Sequence, residues 1–393
     1  MQVGKSIILK ELKIFNMKIK IVTIIALVFT LMACENEEFV AEDFGSTSVY
    51  FPYQRPARTL VLGNYDLGFN DNDNNGRFEI GVVMSGVIEN SKDRRVHFEL
   101  APELIDAAAL GVDTVNVQVL PSSYYTIEQQ SPVTIPAGSV SGRIPVQLEA
   151  AFFNDTLSFA GENETHYVIP LRITDYEELD SLLTGVPTVD NPIKINDDHW
   201  NPTPKDYTLF GIKYMNEYQG IYLRRGADEI VGSAETVTLS NGATETTTID
   251  TTVVYRAEFV EQDELVPVTT SGRHSATVST RVRRAGVATD SDVTLSFSVD
   301  DNNNITVTNV EGENFNVTGT GSWVIDGGEW GGEKRNAIYL EYQYRDVQVE
   351  QELSFGSVVS ETTVDLLHTV RDTLVIRNRN VKFEQFTLEL TTP

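Results

Sequence analysis

The chain has 393 residues, 57 Asp and Glu against 30 Lys and Arg, a formal charge of −27, and one cysteine. That length suggests two or three domains at roughly 150 residues each, and a hydrophobic fraction of 41% with 9% aromatics is too rich for a disordered chain. The carboxylate excess argues against nucleic acid as a partner, since phosphate neutralisation needs clustered Lys and Arg. The lone cysteine excludes both a disulfide framework and a multi-cysteine zinc site.

Residues 21–33 form an apolar run that comes after the basic start Met17-Lys18-Ile19-Lys20. The run is too short to cross a ~30 Å hydrocarbon core as a helix. Charged start, apolar centre and small final residue together make residues 1–33 a secretory signal, with Met17 as an alternative start. Leu31-Met32-Ala33-Cys34 has the form of a bacterial lipobox, so Cys34 is expected to be acylated and to become the first mature residue. Cleavage removes five Lys and one Glu, leaving 25 basic and 56 acidic residues and a charge near −31. A body of that charge is repelled by anionic headgroups, which leaves the acyl chain as the expected membrane contact. Residues 34–47 are polar and acidic and read as a tether.

Strand signals dominate the mature chain: short runs of Val, Ile, Thr, Tyr and Phe bounded by Gly, Asn, Asp and Pro. The first set is expected near 48–52, 57–62, 76–84, 94–100, 113–119, 123–128, 132–135, 142–149 and 166–173, an antiparallel sandwich over 48–183. Short helices are expected at Pro102–Leu110 and Asp175–Leu183. Pro136-x-Gly138 reads as a turn joining Val133–Ile135 to a hairpin partner at Arg143–Leu148. Residues 184–206 carry Gly185, Pro187, Pro192, Pro202 and Pro204 without periodicity, the composition of a linker, with Trp200 packing between domains. Beyond it, strands are expected at 207–215, 219–225, 236–239, 246–260, 273–284, 292–299, 303–309, 314–325, 335–347, 365–378 and 380–390. Long strands joined by short turns suggest an up-and-down, lipocalin-like barrel over 207–393, with a second sandwich as the alternative. The fold class is therefore all-β.

Several stretches resemble a paired-domain lipoprotein family of Bacteroidetes. In the first half they are Asn74-Asn75-Gly76-Arg77-Phe78-Glu79-Ile80, Ser85-Gly86-Val87-Ile88-Glu89-Asn90, Leu120-Pro121-Ser122-Ser123-Tyr124-Tyr125-Thr126 and Tyr167-Val168-Ile169-Pro170-Leu171-Arg172-Ile173. In the second half they are Tyr207–Tyr214 and Gly220–Gly226. Glu35-Asn36-Glu37-Glu38 likewise resembles the export signal that sends such lipoproteins to the outer face of the outer membrane. The resemblance implies an immunoglobulin-like N-terminal domain, a β-rich C-terminal domain of unknown function, and a place beside outer-membrane proteins of a glycan-uptake complex. It implies no defined binding residues.

The chemistry of catalysis is scarce in this sequence. The five histidines are isolated, and no His-Glu-x-x-His, Gly-x-Ser-x-Gly or phosphate loop occurs. Asp71-Asn72-Asp73-Asn74-Asn75-Gly76 fits the first half of a calcium loop through Asp71, Asp73 and Asn75, but position twelve is Val82, and such clusters also make ordinary turns. Glycan binding needs aromatic faces beside amides and carboxylates. Trp330, in Gly327-Gly328-Glu329-Trp330-Gly331-Gly332, is the first candidate, exposed on a loop or folded over the barrel end. Tyr218 and Tyr222 share a strand face, as a stacking pair or as cross-strand packing. Arg224 and Arg225 point oppositely, so one of them enters the interior, to meet an acidic sugar or an internal carboxylate. Trp323 shares parity with Phe315, Val317 and Ile325 and is expected in the core. The expected function is non-catalytic glycan capture at the cell surface. A structural or adhesive protein-binding role is the alternative, and a glycoside hydrolase with two facing carboxyls is the third reading.

Overall fold

A strand that alternates apolar and polar residues can bury one face only, and Arg77–Ser85 does so: Phe78, Ile80, Val82 and Met84 are buried while Arg77, Glu79 and Ser85 are exposed. The structure, a computed structural model, describes residues 45–391 apart from 66, 160–163, 285–286 and 383. The signal segment, Cys34 and the tether up to residue 44 lie outside the described residues. Residues Ser46–Pro393 form one unit.

Its first half is a two-sheet sandwich. One sheet runs Ser181–Leu182, Ser48–Tyr50, Arg77–Ser85, Ser141–Leu148, Tyr125–Ile127. The facing sheet runs Glu384–Gln385, Pro56–Val61, Tyr207–Met215, Tyr167–Glu177, Arg94–Leu100, Val133–Ile135. Phe51, Leu60, Ile80, Ile144, Phe152 and Ile169 fill the space between.

Several expectations are corrected here. Val133–Ile135 does not pair with its expected hairpin partner: it joins Arg94–Leu100 in one sheet, while Ser141–Leu148 joins Arg77–Ser85 in the other. The Pro-x-Gly turn is an arch between sheets, pinned by the Asn90 amide on the Pro136 and Ser139 carbonyls. Residues 175–183 are not helical, because Tyr167–Glu177 continues as strand and Ser181–Leu182 pairs with Ser48–Tyr50. Residues 184–206 do not link the domains. They close on themselves through a Val186–Pro202 hydrogen bond and join the sandwich where the Phe51 and Ile173 amides donate to the Lys205 and Asp206 carbonyls, and Trp200 donates to the Ile193 carbonyl beneath Lys194. Tyr207–Met215 is an internal sandwich strand, paired with Tyr167–Glu177 and Pro56–Val61, rather than the first strand of the barrel. The chain end, expected as a barrel strand at 380–390, also returns to the sandwich, where Glu384–Gln385 pairs with Pro56–Ala57 and Phe386 is buried beside Tyr207 and Leu209.

The second half is a closed antiparallel barrel. Its strands, in order, are Gly220–Thr238, Glu264–Gly272, Ser275–Arg284, Val287–Val299, Asn304–Asn309, Thr318–Trp330, Glu333–Ser354 and Ser357–Asn378, and the last pairs with the first. Closure removes the free edges of the meander. Tyr218, Phe297, Trp323, Leu340, Tyr342 and Leu374 lie in its core. Three strands outrun the barrel. Together with Ala243–Tyr255, the far halves of Gly220–Thr238, Glu333–Ser354 and Ser357–Asn378 make a four-stranded arm. Seven acidic residues and no Lys or Arg lie in segments 231–252 and 347–366 of this arm.

Candidate functional site

The two domains meet at a short crossover, Asn216–Gln219, that is built to be stiff. Asn216 is buried and its amide donates to the Gly272 and Ser275 carbonyls at 2.9 and 2.7 Å. Gly63, at φ +80°, lies so close to Glu217 that a Cβ there would come within 2.3 Å of the Glu217 Cβ, so glycine is required. Arg379, 7% exposed, ties the joint together. Its guanidinium donates to the carbonyls of Leu62 and Asn64 from the sandwich and of Asn216 and Gln219 from the crossover, at 2.6–3.1 Å. One fork of donors thereby holds four backbone acceptors in fixed relation.

Beside this joint is a cleft of about 110 Å³, widening to about 670 Å³ with its open mouth. The sandwich contributes Asn64, Tyr65 and Leu67. The barrel rim contributes Asp326, Lys334 and Asn336 from one hairpin and Arg377 and Asn378 from the last strand. A bulge between Val324 and Gly328 places Asp326 at φ +56°, with its amide donating to the Asn336 side chain at 3.1 Å. The same bulge corrects the expected parity of this strand. Phe315, Val317 and Trp323 are buried, but Ile325 is 65% exposed.

Trp330 is not a lining residue of the cleft but packs against two that are, Arg335 and Ile376. It ends Thr318–Trp330, and Gly331-Gly332, at φ +62° and +77°, turn the chain straight into Glu333–Ser354. The loop expected around Trp330 is therefore a two-residue turn. The indole is half-buried, its Nε1 donates to the Ile376 carbonyl at 2.9 Å, and the Arg335 guanidinium lies 4.8 Å from the ring centre. Arg335 and Ile376 also line the cleft, so the ring is fixed against its wall.

Tyr218, Tyr222 and Arg224 are not surface groups. Tyr218 is 3% exposed and lies edge-on to Trp323 and Phe297. Tyr222 is wholly buried and donates its hydroxyl to the Tyr218 carbonyl at 2.6 Å. Cross-strand packing, not a stacking platform, is what these rings do. Burial pushes both hydroxyls well above the usual tyrosine range. Arg224 enters the interior, as one of the two arginines had to, and finds carboxylates: Asp372 at 2.9 Å and Glu264 at 3.1 Å, with the Tyr255 hydroxyl at 3.0 Å. Burial is the largest single influence and opposes its charge, but Asp372, Tyr342 and Tyr255 together outweigh it and hold the guanidinium well above the usual arginine range. Tyr255 and Tyr342 both donate to the same Asp372. Further along, the fully buried His368 meets Asp228 at 2.8 Å and stacks on Tyr344.

The calcium-like run takes up the turn alternative. Asp71–Asn74 forms one helical turn, and Asp73 is buried, with one oxygen on Arg58 at 2.5 Å and the other on the Val61 amide at 2.9 Å. Asn75 spends its amide on the Asp71 carbonyl. Among the described residues no group of three or more His, Cys, Asp or Glu gathers to hold a metal. The run has a positioning role instead. Asn70 donates to the Val61 and Gly63 carbonyls, and Asn74 accepts from the Gly63 amide, fixing the start of the loop that carries Asn64, Tyr65 and Leu67.

Two domain families match the chain. A domain of unknown function, DUF5627, matches residues 217–380, and a family described as an N-terminal domain matches residues 44–180. The first match begins at the joint Asn216–Gln219 and ends at the barrel exit beside Arg379, while the second lies wholly within the sandwich. No curated protein matches. Among solved structures, a Bacteroides ovatus protein of unknown function is 28% identical with a TM-score of 0.69, covering 90% of this chain and 100% of that one. A second B. ovatus protein of unknown function is 15% identical with a TM-score of 0.35, covering 88% and 99%. An auxiliary nutrient binding protein from Bacteroides thetaiotaomicron is 12% identical with a TM-score of 0.31, covering 80% and 91%. The first shares this fold along its length. The other two superpose too loosely for one site to be compared with another.

Proposed function

We propose that this protein binds a glycan without altering it, and that the cleft between the sandwich loop and the barrel rim takes the sugar. The observation that carries this reading is Trp330, a half-buried ring held against Arg335 and Ile376, two residues that line a cleft rich in side-chain amides and charged groups. A fixed aromatic ring packs the apolar face of a sugar, and Asn64, Asn336, Asn378 and Asp326 offer donors and acceptors for its hydroxyls. The rigid joint supports such binding, because both walls are set before the ligand arrives and little ordering cost remains. Cys34 would carry the acyl chain that holds the protein on the outer membrane, facing the exterior, beside the proteins that import the captured glycan.

Affinity-gel retention of the full-length protein on a panel of soluble polysaccharides tests the reading. Retention is expected on at least one of them, weakened about 10-fold by Trp330→Ala, a loss of about 1.4 kcal/mol. No retention on any of the panel sinks the glycan reading. Retention that Trp330→Ala leaves unchanged sinks this site.

A second reading is favoured by the arm. Phe355 at its tip is fully exposed, with Leu353 65% and Leu239 53% exposed nearby. An apolar tip on an acidic shaft suits a protein partner with a basic rim. The two readings concern different parts of the molecule and are compatible.

A further inference from the structure

The sandwich has a second opening, whose lining shares no residue with the cleft at the barrel rim. It is a groove of about 210 Å³ walled by Phe51, Tyr53, Pro56, Ile80, Phe210 and Val381. Phe210 is stacked on Phe78 at 5.4 Å with the rings 10° from parallel, so its plane is fixed. Thr208 lies on the same face of its strand as Phe210, two residues away, and also lines the groove. Thr208 is 1% exposed, and its hydroxyl has no hydrogen-bond partner among the described residues. A second lining residue, Thr59, has a buried hydroxyl in the same condition.

Buried hydroxyls are nearly always paired, because leaving one unpaired in apolar surroundings forfeits its solvation. Two such groups on one apolar groove are the pattern of a ligand site, in which a few polar atoms orient a mainly apolar guest. The size sets the guest. A dry cavity of ~150 Å³ takes up benzene, so this groove accommodates a six-membered ring with a small substituent. Of its two cationic lining residues, Arg58 and Lys382, the first has its guanidinium already spent on Asp73 and the Thr59 carbonyl. We propose that this groove binds a small, uncharged ring compound bearing a hydroxyl, with Phe210 against the ring and Thr208 in a hydrogen bond with the hydroxyl.

The test is a ligand-observed NMR titration of the full-length protein with 4-methylphenol and with toluene, which has the same ring without the hydroxyl. Both are expected to bind at one site, 4-methylphenol about 5- to 10-fold more tightly, the worth of one hydrogen bond. Thr208→Val keeps the shape of the side chain and removes only the hydroxyl. It is expected to bring the two affinities within about 2-fold by weakening 4-methylphenol alone. Tyr53→Ala, at the exposed rim, is expected to weaken both. Absence of saturable binding by either compound overturns the proposal, as does a preference for the phenol that survives Thr59→Val and Thr208→Val together. Tighter binding of 4-hydroxybenzoate than of 4-methylphenol overturns the assignment of an uncharged guest, since Lys382 also borders the groove.

Discussion

The two ends of the barrel interior are built on opposite principles. Next to the sandwich, Tyr218 packs edge-on against Trp323 at 5.3 Å and Phe297 at 6.3 Å, an apolar plug. One turn of side chains further along, the same cylinder is filled by Arg224, Glu264, Asp372, Tyr255 and Tyr342, and then by the Asp228–His368 pair. Apolar packing tolerates the loss of a partner by partial collapse, whereas a buried charge network fails when one member leaves the others unpaired. The apolar end adjoins the stiff joint and the cleft. The polar end opens into the arm, where the strands lose their apolar alternation.

Alkali tests both ends at once and has the largest expected effect. Burial raises Tyr167, Tyr207 and Tyr214 in the sandwich to about 12. Burial also raises Tyr218 and Tyr222 at the apolar end, and burial with Asp372 raises Tyr255 and Tyr342 at the polar end. These groups ionise near 10 once unfolded. The folded state therefore keeps protons that the unfolded state loses, so stability is full below pH ~10 and falls as pH rises toward 12. Several such groups act in the same direction on a net stability that is only roughly 5–15 kcal/mol for a typical domain, so unfolding is expected in this range. Absorbance at ~295 nm, where tyrosinate absorbs, is expected to rise for most tyrosines in one step with the loss of β-sheet circular dichroism. A smooth titration of all tyrosines near 10 without unfolding contradicts it.

Next in size is Asp372→Ala, which strands the Arg224 charge and the hydroxyls of Tyr255 and Tyr342. A loss of ~3–5 kcal/mol is expected in denaturant unfolding. Replacing Arg224 and Asp372 together by Met and Leu is expected to cost much less, because no buried charge is left alone. Equal losses for the single and double changes would erase the distinction between the two ends. Arg379→Ala comes third, at ~2–3 kcal/mol for hydrogen bonds from a charged donor. It is also expected to split unfolding into separate sandwich and barrel transitions, since the joint loses its tie between Leu62 and Asn216.

The same residues mark what was legible in the sequence. Regular alternation exposed the sandwich strands and most barrel strands, because each must bury one face. It failed at Ile325, where a bulge shifts the register and turns an apolar side chain outward. It failed again over 350–363, where Gln351, Glu352 and Glu361 hide the ends of two paired strands and the turn between them, held only by neighbours in the arm. The proline-rich 184–206 looked like a linker by composition, yet its backbone bonds back to the sandwich. The calcium-like run was visible as a motif, but its use in fixing the cleft loop rests on Asn70 and Gly63, which no spacing rule marks. Trp330 could be singled out from its glycine neighbours. Arg379 could not, since a lone arginine near a strand end carries no local sign that four carbonyls converge on it.

The smallest expected effect separates the two barrel tryptophans. Trp323, 3% exposed, is part of the apolar plug, and Trp323→Ala is expected to cost ~3–5 kcal/mol. Trp330 is half-buried on the rim, and its indole nitrogen is bonded to the Ile376 carbonyl. Trp330→Phe keeps a ring in place and loses that bond, so ~1 kcal/mol is expected. Iodide quenching should fall in this variant, because Trp323 cannot be reached, leaving Trp200 as the quenchable ring. A bound glycan over Trp330 should protect the wild-type protein from iodide to a similar degree. Protection without any dependence on residue 330 would move the sugar away from the apolar end and toward the arm.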